Sequence, residues 1–428
     1  MDVLVELLDP LGNPLPVQSV TVTESVNLGW TWSATLSRVP HTYTVNGVPN
    51  KSLLDAFLED ATYTLTLEVD GVTKVLPPLV ATDYQEDISG GGVLSGIDLI
   101  MYRLTRSTHV IPDTWRNTTT TAIINSMATE MGLSGYVSGH LAFEFAVLEE
   151  EAGGRTNFLT PLTRILDVAC YEFRCIPAYD MGGVLRGGLE FYPLEIAPAG
   201  AAPAQPAWSR VTRQRTFSER ITQLRFLKTS RMGLDANGYN FEAAAPGDVF
   251  ALPSTLSAAQ TSAVFSGQPS PSDLPDLYSG DPGAGGVLLG KGVAFELGDV
   301  THVKATKAGP LTVMGTRKTL IPAGVELAFE VFHDTGISPP RPPDEPWSES
   351  LWPNRAYVNA RTQTYMWARN RGTHTLSFEG PPALALGLGS RLTWPDHPES
   401  RAESITHTLG IGQASTSVEA AVLASSQW

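Results

Sequence analysis

Cysteine is almost missing from this chain, with only Cys170 and Cys175 among 428 residues. Their spacing is not that of a CxxC metal pair, and two thiols make no disulfide framework, so the zinc-ribbon and disulfide-scaffold classes are excluded. Cys170 reads as a small core residue, and no bridge to Cys175 is expected in a reducing compartment. Cations are scarce as well, 29 Lys and Arg against 44 Asp and Glu, for a formal net charge of −15. Affinity for nucleic acid comes largely from cations displacing counterions, so this balance argues against a surface built to grip phosphates. The same charge keeps a chain soluble, or keeps a DNA backbone from sticking to a channel wall. No apolar run approaches a membrane span. Asp2 and Glu6 interrupt a β pattern at the start with no basic flank, unlike a signal peptide, so assembly in a cytoplasm is expected.

Catalytic signatures are missing too. His41, His109, His140, His302, His333, His374, His397 and His407 include no HExxH or HxH spacing, and there is no Gly-x-Ser-x-Gly elbow. Gly90-Gly91-Gly92 is a turn. Gly285 with Gly290-Lys291 falls short of a P-loop, because Gly292 stands where the magnesium-binding hydroxyl belongs, and it reads as a flexible turn. Glu149-Glu150-Glu151 reads as a solvated loop, and Asp55, Glu59 and Asp60 surround a short helical segment. A glycosidase needs two carboxylates held across a sugar bond, a distance that sequence does not give. No catalytic, cofactor-binding or metal residues are assigned, no cofactor is expected, and the chain reads as no enzyme.

What is present is mostly β pattern. Val3, Val5 and Leu7 alternate, and Val20 to Ser37 gives two strands around Asn27 to Gly29. Tyr63 to Val69 turns at Asp70-Gly71 into Lys74 to Leu79, after a short helix at Ser52 to Leu58. Helices are predicted over Asn117 to Met131 and over Asn157 to Phe173, the latter followed by a hairpin through Gly182-Gly183. Residues 196–208 form a low-complexity linker, and Thr216 to Thr229 a strand. Residues 234–292, rich in Ala, Ser, Pro, Gly and Asp without sustained period, read as a long loop or an insertion packed on the outside. Strands return from Gly292 to Phe332, Pro339 to Pro346 is a stiff spacer, and Asn354 to Arg371 a helix. The end is a β-meander, Thr373 to Trp394, Ser404 to Gly412 and Ala414 to Val422.

This meander, with Leu386-Gly-Leu-Gly-Ser390 before a strand and Ser404-Ile-Thr-His-Thr-Leu409 after it, resembles the end of bacteriophage tail hub proteins of the late control protein D and baseplate hub family. The Gly96-Ile-Asp98 strand and the helix and hairpin carrying Leu162, Ile165, Ala169, Phe173 and Phe191-Tyr-Pro193 are similar to the same family. The resemblance implies a mainly β chain with an α+β middle unit and two β-barrel tube-like domains. Residues 1–108 are then the first hub barrel, 109–200 the α+β unit, and 201–428 the second barrel with an inserted segment at 234–345. It further implies a homotrimeric ring in the virion tail that joins the tail tube to the tip, contacts other tail-tip or baseplate proteins, and leaves a channel through which DNA passes without specific binding. Two alternatives stand beside it. One is a tail-associated cell-wall hydrolase and the other a carbohydrate-binding adhesin, the latter suggested by nine tryptophans, among them Trp30, Trp32, Trp347, Trp352, Trp367 and Trp428. Core packing or a subunit interface explains such tryptophans more often than sugar binding does.

Overall fold

The computed structural model describes residues 1–37, 43–45, 48–50, 61–86, 91–106, 109–110, 115, 118–147, 155–194, 206–216, 219–229, 236–257, 261–266, 273–294, 299–316, 325–326, 328–337, 340–343 and 345–423. The expected helix at Ser52 to Leu58, the linker around residues 196–205 and Trp428 lie outside them. The chain divides into two compact units, one of Met1–Thr229 with Gly324–Trp428 and one of Ser230–Ala323.

In the first unit the strands are β1 (Val3–Leu8), β2 (Val17–Ser25), β3 (Gly29–Leu36), β4 (Thr64–Val69), β5 (Val72–Val75), β6 (Leu79–Glu86) and β7 (Gly92–Asp98). Helices α1 (Leu99–Thr105), α2 (Thr120–Glu130) and α3 (Leu159–Ala169) follow, then β8 (Tyr171–Ile176), β9 (Gly188–Pro193), β10 (Arg210–Arg215) and β11 (Gln223–Thr229). The second unit holds β12 (Ala236–Ala244), β13 (Val249–Ser257), β14 (Ser262–Phe265), β15 (Asp276–Ser279), β16 (Val287–Lys291), β17 (Val293–Ala294), β18 (Asp299–Lys304) and β19 (Gly309–Thr316). The chain then returns to the first unit with β20 (Ala328–Asp334), α4 (Arg355–Asn359), α5 (Thr362–Asn370), β21 (His374–Gly380), β22 (Ser400–Gly410) and β23 (Gln413–Val422).

The central sheet of the first unit runs β10-β21-β23-β22-β2-β3-β7-β6, with Arg391–Leu392 beside β22. Every neighbouring pair on this path is antiparallel. The strands assigned by sequence to a first and a second barrel thus stand edge to edge in one sheet, joined where Val20 to Ser25 pairs with Ser404 to Leu409. Among the described residues none of the sheets closes on itself. Alternation makes this sheet two-faced, since a period of two sends successive side chains to opposite sides. Val20, Val22, Trp30, Trp32, Ala34, Leu376, Phe378, Ile405, Leu409 and Val418 are all buried on one side.

Local geometry follows the turn chemistry. Asn27 (φ 58°) and Gly29 (φ 64°) turn β2 into β3, and Asp70 (φ 48°) with Gly71 (φ 82°) turns β4 into β5, both in the left-handed region that Asn, Asp and Gly tolerate. At Gly96 a Cβ would stand 1.9 Å from the Val80 carbonyl oxygen, so only glycine lets β6 and β7 approach there. Helix α2 is capped by Thr119, whose Oγ1 accepts from Ala122 N. Helix α3 ends at Ala169, earlier than the predicted Phe173, because Cys170 turns left-handed (φ 57°) and starts the hairpin β8–β9. The single helix predicted over Asn354 to Arg371 is instead two, α4 and α5, broken at Ala360 and Arg361.

The largest correction concerns the insertion. The described residues between Ala236 and Lys291 are not a long loop: they supply β12 to β16 of an eight-stranded sheet, β12-β19-β14-β17-β16-β15-β18-β13. That unit has its own core, in which Leu256, Ala263, Leu277, Val300, Val303 and Val313 are fully buried. Register shifts at Phe241/Ala244, Ala251/Leu256 and Leu277/Tyr278 break the period of two that reading by alternation requires. The unit also ends at Ala323 rather than residue 345, because β20 pairs with β11 in the first unit from Thr229↔Ala328 to Gln223↔Asp334.

Candidate functional site: the hydroxyl face and the edges of the central sheet

The face of the central sheet opposite the core is built of hydroxyls. In one cross-strand row Arg210, Glu379, Ser417, Thr406, Thr23, Thr31 and Ile97 are register partners in succession. The next rows read Thr212, Ser377, Glu419, Ser404, Ser25, and Ser415, Thr408, Thr21, Ser33, Ser95, Asp83. Thr23 Oγ1 lies 2.9 Å from Thr406 Oγ1 and Ser25 Oγ 2.9 Å from Ser404 Oγ, so the hydroxyls bridge the seam between the two halves. The charges in these rows are Asp83, Glu379, Glu419 and Arg210. Such a surface binds water well and phosphate poorly, because it offers few cations whose pairing would release counterions.

The sequence carries the signal for this face. Thr21-Val-Thr-Glu-Ser25, Thr31-Trp-Ser-Ala-Thr35 and Ser404-Ile-Thr-His-Thr408 alternate hydroxyl and buried residues. Read for apolar positions alone, these runs yield strands; the hydroxyl set becomes visible as one surface only when the pairing is known.

Beneath the sheet a small set of buried polar groups ties the layers together. Lys74 of β5 donates to the Leu386 carbonyl at 3.1 Å, lies 3.5 Å from His407 Nε2 and 3.9 Å from Glu24 Oε2, and sits over the Trp30 ring. Burial lowers the Lys74 pKa and raises that of Glu24. His407 is fully buried, its Nδ1 2.9 Å from Thr416 Oγ1, and burial with the nearby Lys74 pushes its pKa down to about 3. Farther along, Glu172, buried on β8, receives Arg371 at 2.5 Å and Arg401, and Arg401 also donates to Glu403 at 2.6 Å. This ion cluster fastens the α+β unit to β22.

The two ends of the central sheet differ in charge. β10 carries Arg210, Arg213 and Arg215 and is exposed along most of its length. Arg213 Nε donates to His374 Nε2 at 2.8 Å, and burial together with Arg213, Arg215 and Arg220 pushes His374 down to about 4, so the imidazole stays neutral. Arg220 is itself lowered by burial and by Arg215 and Arg341, which marks this edge as a concentration of positive charge. At the other end β6 carries exposed Asp83 and, in sequence, Glu86.

The residues weighed for chemistry do not converge. Asp55, Glu59, Asp60 and Glu149 to Glu151 lie outside the described residues. Gly290 and Lys291 belong to strand β16, with Lys291 3.6 Å from Asp276, a hairpin rather than a flexible turn. Both cysteines are free thiols. Among the described residues no group of three or more His, Cys, Asp or Glu is placed to hold a metal ion, and no helix is long and apolar enough to cross a membrane. Trp30 and Trp32 both face the core, as their spacing predicts, and Trp115, Trp352 and Trp367 are buried as well. Trp347, the half-buried member of that group, has Arg369 stacked over its ring at 4.2 Å.

No protein-family model matches the sequence, and no curated protein matches it. Solved structures do. The chain is similar to the 43 kDa tail protein of prophage MuSo2 from Shewanella oneidensis, at 11% identity and a TM-score of 0.51, covering 99% of each chain. It is similar to the tail protein from Neisseria meningitidis MC58 at 9% identity and a TM-score of 0.52, covering 98% of this chain and 97% of that one. At these identities the likeness is one of fold, and it runs the whole length of both chains: the fold of this chain is that of phage tail proteins, as its meander and its Gly96-Ile-Asp98 strand suggested.

Proposed function

We propose that this chain is a structural hub of a phage or phage-like tail, located in the virion tail tip or baseplate. Three copies form a ring that joins the tail tube to the tip. The carrying observation is the hydroxyl face, which continues across β2 and β22 from the N-terminal half of the sheet to the C-terminal half. Each half contributes four strands, and these halves correspond to the two tube-like domains expected from the sequence. Turned toward a channel, a water-binding face with few cations lets DNA pass without holding it. The role is mechanical and involves no catalysis, and the partners are the tail tube and other tail-tip or baseplate proteins. The hydrolase reading would require a convergent acid–base or metal site. The adhesin reading would require exposed aromatic platforms, and Trp30, Trp32, Trp115, Trp352 and Trp367 serve the core instead.

Light scattering of the purified chain and electron microscopy of rings or particle tips test the proposal. The expected result is a mass of three copies and a ring with an open centre. A chain that stays monomeric at every concentration, and that images of the particle place outside the tail tip, would overturn it.

A further inference from the structure

Glu24 and His407 occupy core positions in runs that are otherwise apolar. Val20 and Val22 precede Glu24 on the buried face of β2, and Ile405 and Leu409 flank His407 on the buried face of β22. The register pairs Val22 with His407 and Glu24 with Ile405, so the carboxyl and the imidazole are diagonal neighbours beneath the sheet. Lys74 enters from another layer, on β5 of the three-stranded sheet β1-β4-β5. Its side chain is 16% exposed and that of Glu24 6%, a place where separated charges are costly.

The contacts of Lys74 suit a neutral amine. Its Nζ reaches the Leu386 carbonyl at 3.1 Å and His407 Nε2 at 3.5 Å, two acceptors for the two N–H groups that an amine carries. Glu24 Oε2 stands at 3.9 Å, outside hydrogen-bond reach, which leaves the nitrogen lone pair for the carboxyl group. Burial lowers the Lys74 pKa, opposed by Glu24 and assisted by Arg174, and burial raises that of Glu24 against the pull of Lys74 and Arg174. Both shifts favour an uncharged amine beside an uncharged acid. Because His407 Nε2 accepts from Lys74, the proton of the neutral imidazole is on Nδ1, where Thr416 Oγ1 receives it at 2.9 Å. An imidazole base therefore faces the proton that Lys74 would have to give up.

We propose that Lys74 and Glu24 join in an intramolecular amide cross-link, with His407 carrying the proton. The Nζ lone pair attacks Glu24 Cδ, His407 Nε2 takes one Nζ proton and returns it to the departing hydroxyl, and one water leaves. A C–N bond replaces a C–O bond and an N–H bond becomes an O–H bond, so no oxidant, reductant or co-reactant is needed. The carboxyl carbon has to come within roughly 3–3.5 Å of Nζ, a side-chain rotation for groups whose N and O atoms are 3.9 Å apart. The amide is neutral, so the buried layer no longer holds a pair of ionisable groups, and it ties β5 to β2 covalently across two sheets. The inference stands whether or not copies of the chain form a ring.

Mass spectrometry of the full chain tests it, on the intact denatured protein and on a tryptic digest, with circular dichroism confirming that each sample was folded beforehand. The expected wild-type chain is lighter than its sequence by one water, and its digest contains a branched peptide joining the segments around Glu24 and Lys74, since trypsin does not cleave at an acylated lysine. Lys74→Met and Glu24→Leu should each show the full mass of their sequences. His407→Gln, followed over time after a pulse of expression, should acquire the link more slowly by roughly a hundredfold. A folded wild-type chain with the full mass of its sequence would overturn the cross-link, as would a water loss that maps elsewhere or persists in Lys74→Met. A link formed at the wild-type rate in His407→Gln would overturn the part given to the imidazole.

Discussion

Asp98 Oδ2 accepts the backbone N–H of Trp30 at 2.7 Å, while its Oδ1 accepts that of Met101 at 2.8 Å. One fully buried carboxylate thus caps helix α1 and anchors the start of β3, elements separated by 68 residues. Gly29 makes room for it, since a Cβ there would stand 2.3 Å from Asp98 Oδ2. Burial, the largest influence, pushes the Asp98 pKa up from 3.8 to about 6 against these hydrogen bonds.

The native state therefore holds the Asp98 proton more tightly than the unfolded chain does. Its contribution to stability is fully present below pH 3.8 and is lost as pH rises through about 6, a change of about 3 kcal/mol. Asp98→Asn should flatten that part of the stability curve. It should also cost about 1–2 kcal/mol at pH 7, because its amide turns a donor toward a backbone N–H. Urea denaturation at pH 4, 5, 6 and 7 decides it, and an unchanged pH slope in the variant would count against Asp98 as the titrating group.

His407 should act in the opposite direction. Its folded pKa is depressed from 6.5 to about 3, so its contribution is present above 6.5 and lost as pH falls toward 3. By pH 5 the loss should be about 2 kcal/mol. His407→Gln should remove that loss while keeping a polar partner for Thr416. The same denaturation series run on both single variants separates His407 from Asp98. A wild-type acid limb that persists unaltered in His407→Gln would show that another group is responsible.

The ease of reading this chain varied with how local its constraints were. Turns at Asn27 and Asp70, the helix at α2 and the strands of the final meander are set by neighbours within a few residues, and sequence pattern finds them. The role of Asp98 was only half visible: Gly96-Ile-Asp98 stood out as a motif, but the reason for it lies in Val80 and Trp30, which approach from other strands. The second unit was hidden for a different reason. Three of its strand pairings are bulged, so alternation fails, although Leu277, Val300, Val303 and Val313 are fully buried in its core. The sheet edges were unreadable as well, since whether Arg213 or Asp83 lies at an edge depends on strand order.

Arg401 and Glu172 offer a test of the buried ion cluster. Both are 2% exposed, and removing one charge leaves the other buried beside fewer partners. Arg401→Met alone should cost about 3–5 kcal/mol, while Arg401→Met with Glu172→Leu should recover a large part of that. A double-mutant cycle measures the coupling. Strictly additive losses would mean that the two residues do not act as a pair.

Removing the second unit is the most demanding test of the domain assignment. The chain leaves the first unit after Thr229 and re-enters it at Gly324, and Thr229 is a direct antiparallel partner of Ala328. A short Gly-containing turn can therefore join β11 to β20 in place of residues 230–323, closing a hairpin that already exists. Because the excised unit carries its own core, its loss removes no buried side chain of the core formed by Leu224, Phe226, Phe329, Val331 and Trp352. The shortened chain should remain soluble, unfold cooperatively, and assemble as the full chain does. Deleting only residues 240–290 should behave much worse, since it removes three strands of an eight-stranded sheet, cuts into two more and exposes the remainder of its core. Size-exclusion chromatography and thermal denaturation of the two deletions side by side give the answer: aggregation of the larger deletion with survival of the smaller would show that the boundary at Thr229 and Ala328 is misplaced.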